Sequence, residues 1–111
     1  MISWPAFIYV DGDDELTYIA SYGQWINHPE WSTVEYSADD VLVDSTGRIY
    51  HLDNMVNGRV MPASTDQVIS HNQLVIMVQR HAALNNACCI EKIGFRNTEE
   101  GLAIIASLSE E

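Results

Sequence analysis

Three glycine-centred turns punctuate the first sixty residues, and they leave little freedom in how the strands between them can pair. Asp11-Gly12 lies between two runs rich in β-formers, Trp4–Val10 and Leu16–Ala20. Asp-Gly readily takes the positive φ angles of a tight hairpin turn, so these two runs are expected to be antiparallel neighbours. Asp44-Ser45-Thr46-Gly47 separates Val41-Leu42-Val43 from Arg48-Ile49-Tyr50-His51-Leu52. Aspartate at the start and glycine at the end suit a type I turn closing on a bulge. Asn57-Gly58 marks a third turn, expected to bring Arg59-Val60-Met61 back as a fifth strand that ends at Pro62.

Helix signals lie between and after these turns. Ser21-x-x-Gln24 has the form of a capping box and opens a short helix over Tyr22–Ile26. That helix stops early, because His28 precedes Pro29 and a residue before proline avoids helical geometry. Pro29 to Ser37 is a polar, aromatic-dotted connector. Ser64-Thr65-Asp66-Gln67 reads as a second helix entrance: Ser64 caps, Gln67 closes the box, and Asp66 favours the positive end of the dipole. This helix is expected to run to about Leu84 and to stop at Asn85-Asn86. At 100° per residue, Val68, Ile69, Val75, Ile76, Val78, Ala82 and Ala83 share one broad apolar arc. His71, Asn72 and Gln79 fall inside that arc, where a buried amide needs a partner. Cys88 to Phe95 reads as a last short strand, and Asn97-x-x-Glu100 caps a C-terminal helix through Leu102, Ile105 and Leu108.

Strands joined by tight hairpins come early and helices come late. This predicts a single α+β domain over residues 1–111: an antiparallel sheet of about four to six strands, packed against one long helix and a C-terminal helix. An apolar fraction of 47% over 111 residues suits one core. The longest apolar run, Leu74 to Val78, is five residues, against the roughly 20 that span a bilayer. No basic segment precedes the first apolar residues, so no signal peptide is expected and the location is expected to be cytoplasmic. Cys88 and Cys89 are adjacent, cannot staple distant segments, and fit reduced thiols.

Sixteen acidic residues face five basic ones, for a net charge of -11. Ten of the acids lie before Met55 against Arg48 alone, a net of -9. The remaining six face Arg59, Arg80, Lys92 and Arg96, a net of -2. Such a field repels nucleic acid and anionic lipid and attracts basic proteins, so neither nucleic acid nor membrane is an expected partner.

No motif assigns a catalytic residue or a cofactor. Asp11-x-Asp13-Asp14-Glu15 lacks the distal bidentate acid of a calcium loop and is accounted for as turn chemistry. His28, His51, His71 and His81 show no zinc-ligand spacing with each other or with the two cysteines. A Cys88–His81 nucleophile pair lacks the electropositive surroundings that activate a thiol. The most suggestive cluster is the connector, where Tyr22, Trp25, Trp31 and Tyr36 lie among Glu30, Glu35, Asp39 and Asp40. Aromatic anchors rimmed by carboxylates suit a cationic surface.

Ile2-Ser3-Trp4-Pro5-Ala6 and the stretch Asp11 to Ser21, with Cys88-Cys89-Ile90-x-Lys92 and Glu99-Glu100-Gly101 later, resemble an uncharacterised family of short acidic gammaproteobacterial proteins, a domain of unknown function. The resemblance implies a bacterial cytosolic setting and no assigned activity, cofactor or site. Three functions remain open: a non-enzymatic protein that binds a basic protein partner through its acidic half; a small-molecule or metal-binding domain with weak catalysis, built on the His71-Asn72-Gln79 stripe or the aspartate turn; and a charge that serves solubility alone.

Overall fold

The computed structural model describes residues 2–85 and 94–109. Strand β1 (Ala6–Tyr9) and β2 (Leu16–Ile19) form the first hairpin. Asp13 N–H bonds the Val10 carbonyl at 2.9 Å across the turn, and Gly12 sits at φ +85°. Two short helices follow, α1 (Tyr22–Ile26) and α2 (Pro29–Ser32). Ser21 Oγ accepts from Gln24 N–H at 3.2 Å, and Gln24 Oε1 reaches back to Ala20 N–H, so the expected box closes one residue early. The second hairpin, β3 (Val41–Asp44) and β4 (Arg48–His51), forms where its turn residues place it.

Beyond His51 the structure departs from expectation in two places. Asn57 (φ 54°) and Gly58 (φ 78°) do turn the chain, but β5 (Met55–Val56) and β6 (Arg59–Val60) pair only with each other, as a separate two-stranded sheet. The second departure is the segment Ala63–Val68. It is not the first turns of the long helix but a strand, β7, antiparallel to β4. The exposed edge of β4 needs partners for its backbone groups, and Thr65 and Val68 are stiff β-branched residues that suit a pleat better than a helical turn. Thr65 Oγ1 adds a bond to the Ile49 carbonyl at 2.7 Å. The long helix α3 therefore starts later, at His71, and runs to Leu84. Its cap is Ser70, whose Oγ accepts from Gln73 N–H at 3.1 Å, the same Ser-x-x-Gln form displaced by six residues. Helix α4 (Thr98–Ser109) opens as expected, with Asn97 Oδ1 accepting from Glu100 N–H at 2.9 Å. Of the strand expected over Cys88–Phe95, residues 88–93 lie outside the described residues, and Gly94 and Phe95 are not in a strand.

The five-stranded sheet has the order β2-β1-β3-β4-β7 and is antiparallel throughout. Because β2 and β3 flank β1, the chain must cross over between them, and the crossover carries α1 and α2. Strand alternation gives the sheet two buried faces. Ala6, Ile8, Ile19, Leu42 and Tyr50 point to a first face with Trp25, Leu52 and Val60. Phe7, Leu16 and Val43 point to a second face, covered by Leu74 and Val78 of α3 and Leu102 and Ile105 of α4. Each such fully buried side chain contributes about 1.5–3 kcal/mol. The buried stripe of α3 is Leu74, Val78, His81 and Ala82, not the wider arc expected: Ile76 is exposed, as are His71 and Asn72, and Gln79 is half-buried.

Candidate functional site

The second face is closed by two helices, but the first is only partly roofed. Between α1 and the β5–β6 hairpin lies a groove of about 600 Å³. Ile2 and Trp4 enter it from the segment before β1. Although this segment lies outside the strand and its Trp4-Pro5 bond is cis, both side chains pack against the same first-face cluster as Ala6 and Ile8. Helix α1 contributes Tyr22, Trp25 and Ile26, β4 contributes the Tyr50 ring, and Val60, Met61 and Pro62 form the opposite wall. The polar contributions are Ser32, Ser64 and Arg59. A concave, mostly apolar site of this volume with a few polar groups is the usual form of a small-molecule pocket, which spans about 300–1,000 Å³.

The groove is held in shape by a buried carboxylate. Asp44 Oδ2 accepts from Ser3 N–H at 3.0 Å and from the Tyr50 hydroxyl at 3.2 Å. Asp44 Oδ1 accepts from Thr46 N–H, Thr46 Oγ1 and Arg48 N–H at 2.9, 2.6 and 3.1 Å. Burial pushes the Asp44 carboxyl up, but the bonds from Thr46, Ser3 and Arg48 together outweigh it and hold the group below its ordinary value. Burial, then the Asp44 charge, pushes the Tyr50 hydroxyl up, so it stays a neutral donor. One side chain thus ties the Ile2–Trp4 segment to the Tyr50 floor.

The connector residues divide into three roles. Tyr22 and Trp25 line the groove, Tyr22 59% exposed and Trp25 only 3% exposed. Trp31 and Tyr36 are half-buried against the same core. Tyr36 donates to the Trp31 carbonyl at 2.8 Å, and burial followed by the Asp40 charge pushes its hydroxyl up to about 12. Trp31 lies against the His28 ring, centroids 4.5 Å apart. Asp40 is only 6% exposed, and its carboxylate accepts from Asp11 N–H at 2.9 Å and Ser37 N–H at 2.8 Å. Glu30 pairs with His28 at 2.8 Å on the surface. Glu35 and Asp39 are exposed.

The acids are not spread evenly. Tyr9 pairs with Leu16 and Val41, Val41 with His51, and His51 with Ala63, so these strand ends coincide. The loops leaving that end carry Asp11, Asp13, Asp14, Glu15, Asp39, Asp40 and Asp53. The opposite end of the sheet carries Asp44, which is 1% exposed, and beside its Gly47 turn the start of α4 with Glu99 and Glu100. Among the described residues no group of three or more His, Cys, Asp or Glu is placed to hold a metal ion. In the aspartate turn, Asp13 Oδ1 accepts from Glu15 N–H at 3.0 Å. His71 and Asn72 lie on α3, across the sheet from the groove; His71 meets Phe95 edge-on at 5.3 Å. Sequence reasoning reached Tyr22 and Trp25 but passed over Trp4, Tyr50, Val60 and Met61.

The architecture defines a small α+β domain with a three-layer arrangement and a one-sided apolar groove. The chain belongs to the DUF4144 family, described as a protein structure with unknown function, whose model matches residues 4–105. A solved structure similar to it is the NMR structure of a protein from Shewanella amazonensis: 21% identical, with a TM-score of 0.69, over 99% of this chain and 92% of that one. This likeness extends the fold to that protein. No curated protein matches the sequence. Among the described residues no helix is long and apolar enough to cross a membrane.

Proposed function

We propose that this protein is a non-enzymatic binding domain whose ligand site is the groove between α1 and the β5–β6 hairpin. The observation that carries this reading is an apolar cavity of about 600 Å³ walled by Trp4, Trp25 and Met61 on a sheet face that is otherwise core. A chain of this size gains stability by covering such a surface, so leaving it open favours a binding role. The test is a thermal-shift screen against small apolar metabolites. Ligands that raise the melting point of the native protein and not that of Met61→Asp support the reading, since Met61 is half-exposed and its replacement puts a carboxylate in the groove. Equal shifts in both proteins, or none in either, overturn it.

The acidic end of the sheet favours a second reading, docking of a basic protein partner. The Asp11–Asp40 bond joins the aspartate turn to the connector, so Asp13, Asp14 and Asp39 lie on adjoining loops. Affinity for a lysine-rich peptide, followed across a salt series, tests it. Asp13→Asn with Asp14→Asn should weaken binding more than the charge-matched Asp66→Asn with Glu99→Gln. Equal weakening means the peptide senses net charge alone, and the docking surface is lost.

A further inference from the structure

The groove breaks the electrostatic rule of the rest of the molecule. In a chain of net charge -11, its lining contains no carboxylate and one guanidinium, that of Arg59. Among the described residues the ion pairs are His28–Glu30 and Arg96–Glu100, so Arg59 has no anionic partner there. A second cation stands close by: Arg48 Nη1 lies 3.5 Å from the hydroxyl of Ser64, itself part of the lining. The other two arginines are differently placed. Arg80 borders a small cleft shared with Asp13 and Asp14, and Arg96 is taken by Glu100.

We infer that the groove takes a small amphipathic anion, with an apolar body against Trp25 and Tyr50 and a single carboxylate at Arg59. The inference rests on the groove being a ligand site and adds the chemical class of the ligand. Trp25 and Tyr50 are almost wholly buried and offer a dry floor for the apolar body. Arg59 is exposed at the mouth, where a head group keeps part of its hydration. A guanidinium presents a planar fork that matches a carboxylate with two parallel hydrogen bonds, and such charge-assisted bonds are about twice as strong as neutral ones. A cationic ligand would be drawn to the acidic end of the sheet, and would meet like charge at Arg59. A neutral one would gain nothing from the guanidinium, which water already solvates.

The test is titration of the intrinsic tryptophan fluorescence with three probes that share one chain: decanoate, decanol and decylamine, each below its aggregation limit. Trp4 and Trp25 in the lining report occupancy. Decanoate is expected to bind about two- to fivefold more tightly than either analogue, the scale of a solvent-exposed charge pair. Arg59→Gln should abolish that preference, and Arg59→Lys should restore part of it. Equal affinity for decanoate and decanol, or a preference for decylamine, overturns the anionic ligand while leaving the groove a binding site. No binding of any probe overturns both. A second copy of the chain seated in the groove would appear as a dimer in sedimentation that decanoate fails to dissociate, and that outcome also overturns the proposal.

Discussion

His81 Nδ1 accepts the backbone N–H of Leu16 at 3.0 Å, joining α3 to the first residue of β2 across 65 positions of sequence. Because Nδ1 accepts, the proton of the neutral ring sits on Nε2, which is buried without a hydrogen-bond partner among the described residues. Burial holds the imidazole below its usual 6.5, against a smaller opposite pull from the Glu15 carboxylate.

Stability is therefore expected to fall as the medium is acidified below pH 6.5. The unfolded chain takes up a proton on His81 near 6.5, whereas the folded protein resists until lower pH. Between those values the unfolded state binds more protons, so stability rises with pH there and is fully present above 6.5. Melting curves from pH 8 to 5 check this. His81→Gln, which keeps an acceptor for Leu16 and does not titrate, should flatten the dependence over that window.

Asp44→Ala should cost about 1–3 kcal/mol in chemical denaturation. It removes, at a position only 1% exposed, the acceptor shared by the N–H groups of Ser3, Thr46 and Arg48 and by the Tyr50 hydroxyl. The carboxyl is held below its ordinary value in the fold, so its stabilisation is present above the usual carboxylate range and is lost as pH falls through the lowered value. A loss of under 1 kcal/mol would mean that water satisfies these donors, and that the carboxylate is not what orders the groove.

Gly47→Ala should destabilise the second hairpin by about 1–2 kcal/mol, since φ is +86° and L-residues pay about that in the left-handed region. The added methyl would also lie 3.2 Å from Thr98 Oγ1 and from Val68 Cγ1. The same change at Gly58, also at positive φ but with open space around it, should cost only the backbone part. Comparing the two melting points separates strain from crowding.

How much was legible follows from where the information lies along the chain. Local chemistry carried the first two hairpins, α1 and the entry to α4, because Asp-Gly turns and Ser-x-x-Gln or Asn-x-x-Glu boxes act within four residues. The same local logic misread Ala63–Val68. Ser64-Thr65-Asp66-Gln67 and Ser70-His71-Asn72-Gln73 are equivalent as caps, and what separates them is the edge of β4, a partner far away in sequence. The shift moved the start of α3 by six or seven residues and so changed which residues face the core. His71 and Asn72, expected inside the apolar arc, are exposed, and His81 is the buried polar residue instead. For the groove, its aromatic wall on α1 was visible as a cluster. Its other wall comes from the β5–β6 hairpin folding over the first face, a tertiary arrangement that no local pattern records.

The most direct measurement is an NMR titration of the three indole N–H signals with decanoate. Trp4 and Trp25 line the groove, whereas Trp31, on α2, packs against the same core without lining it and serves as an internal control. Ligand binding in the groove predicts that the Trp4 and Trp25 signals shift and saturate together while Trp31 stays in place. If all three move alike, or none moves while the protein remains folded, the groove is not the binding site.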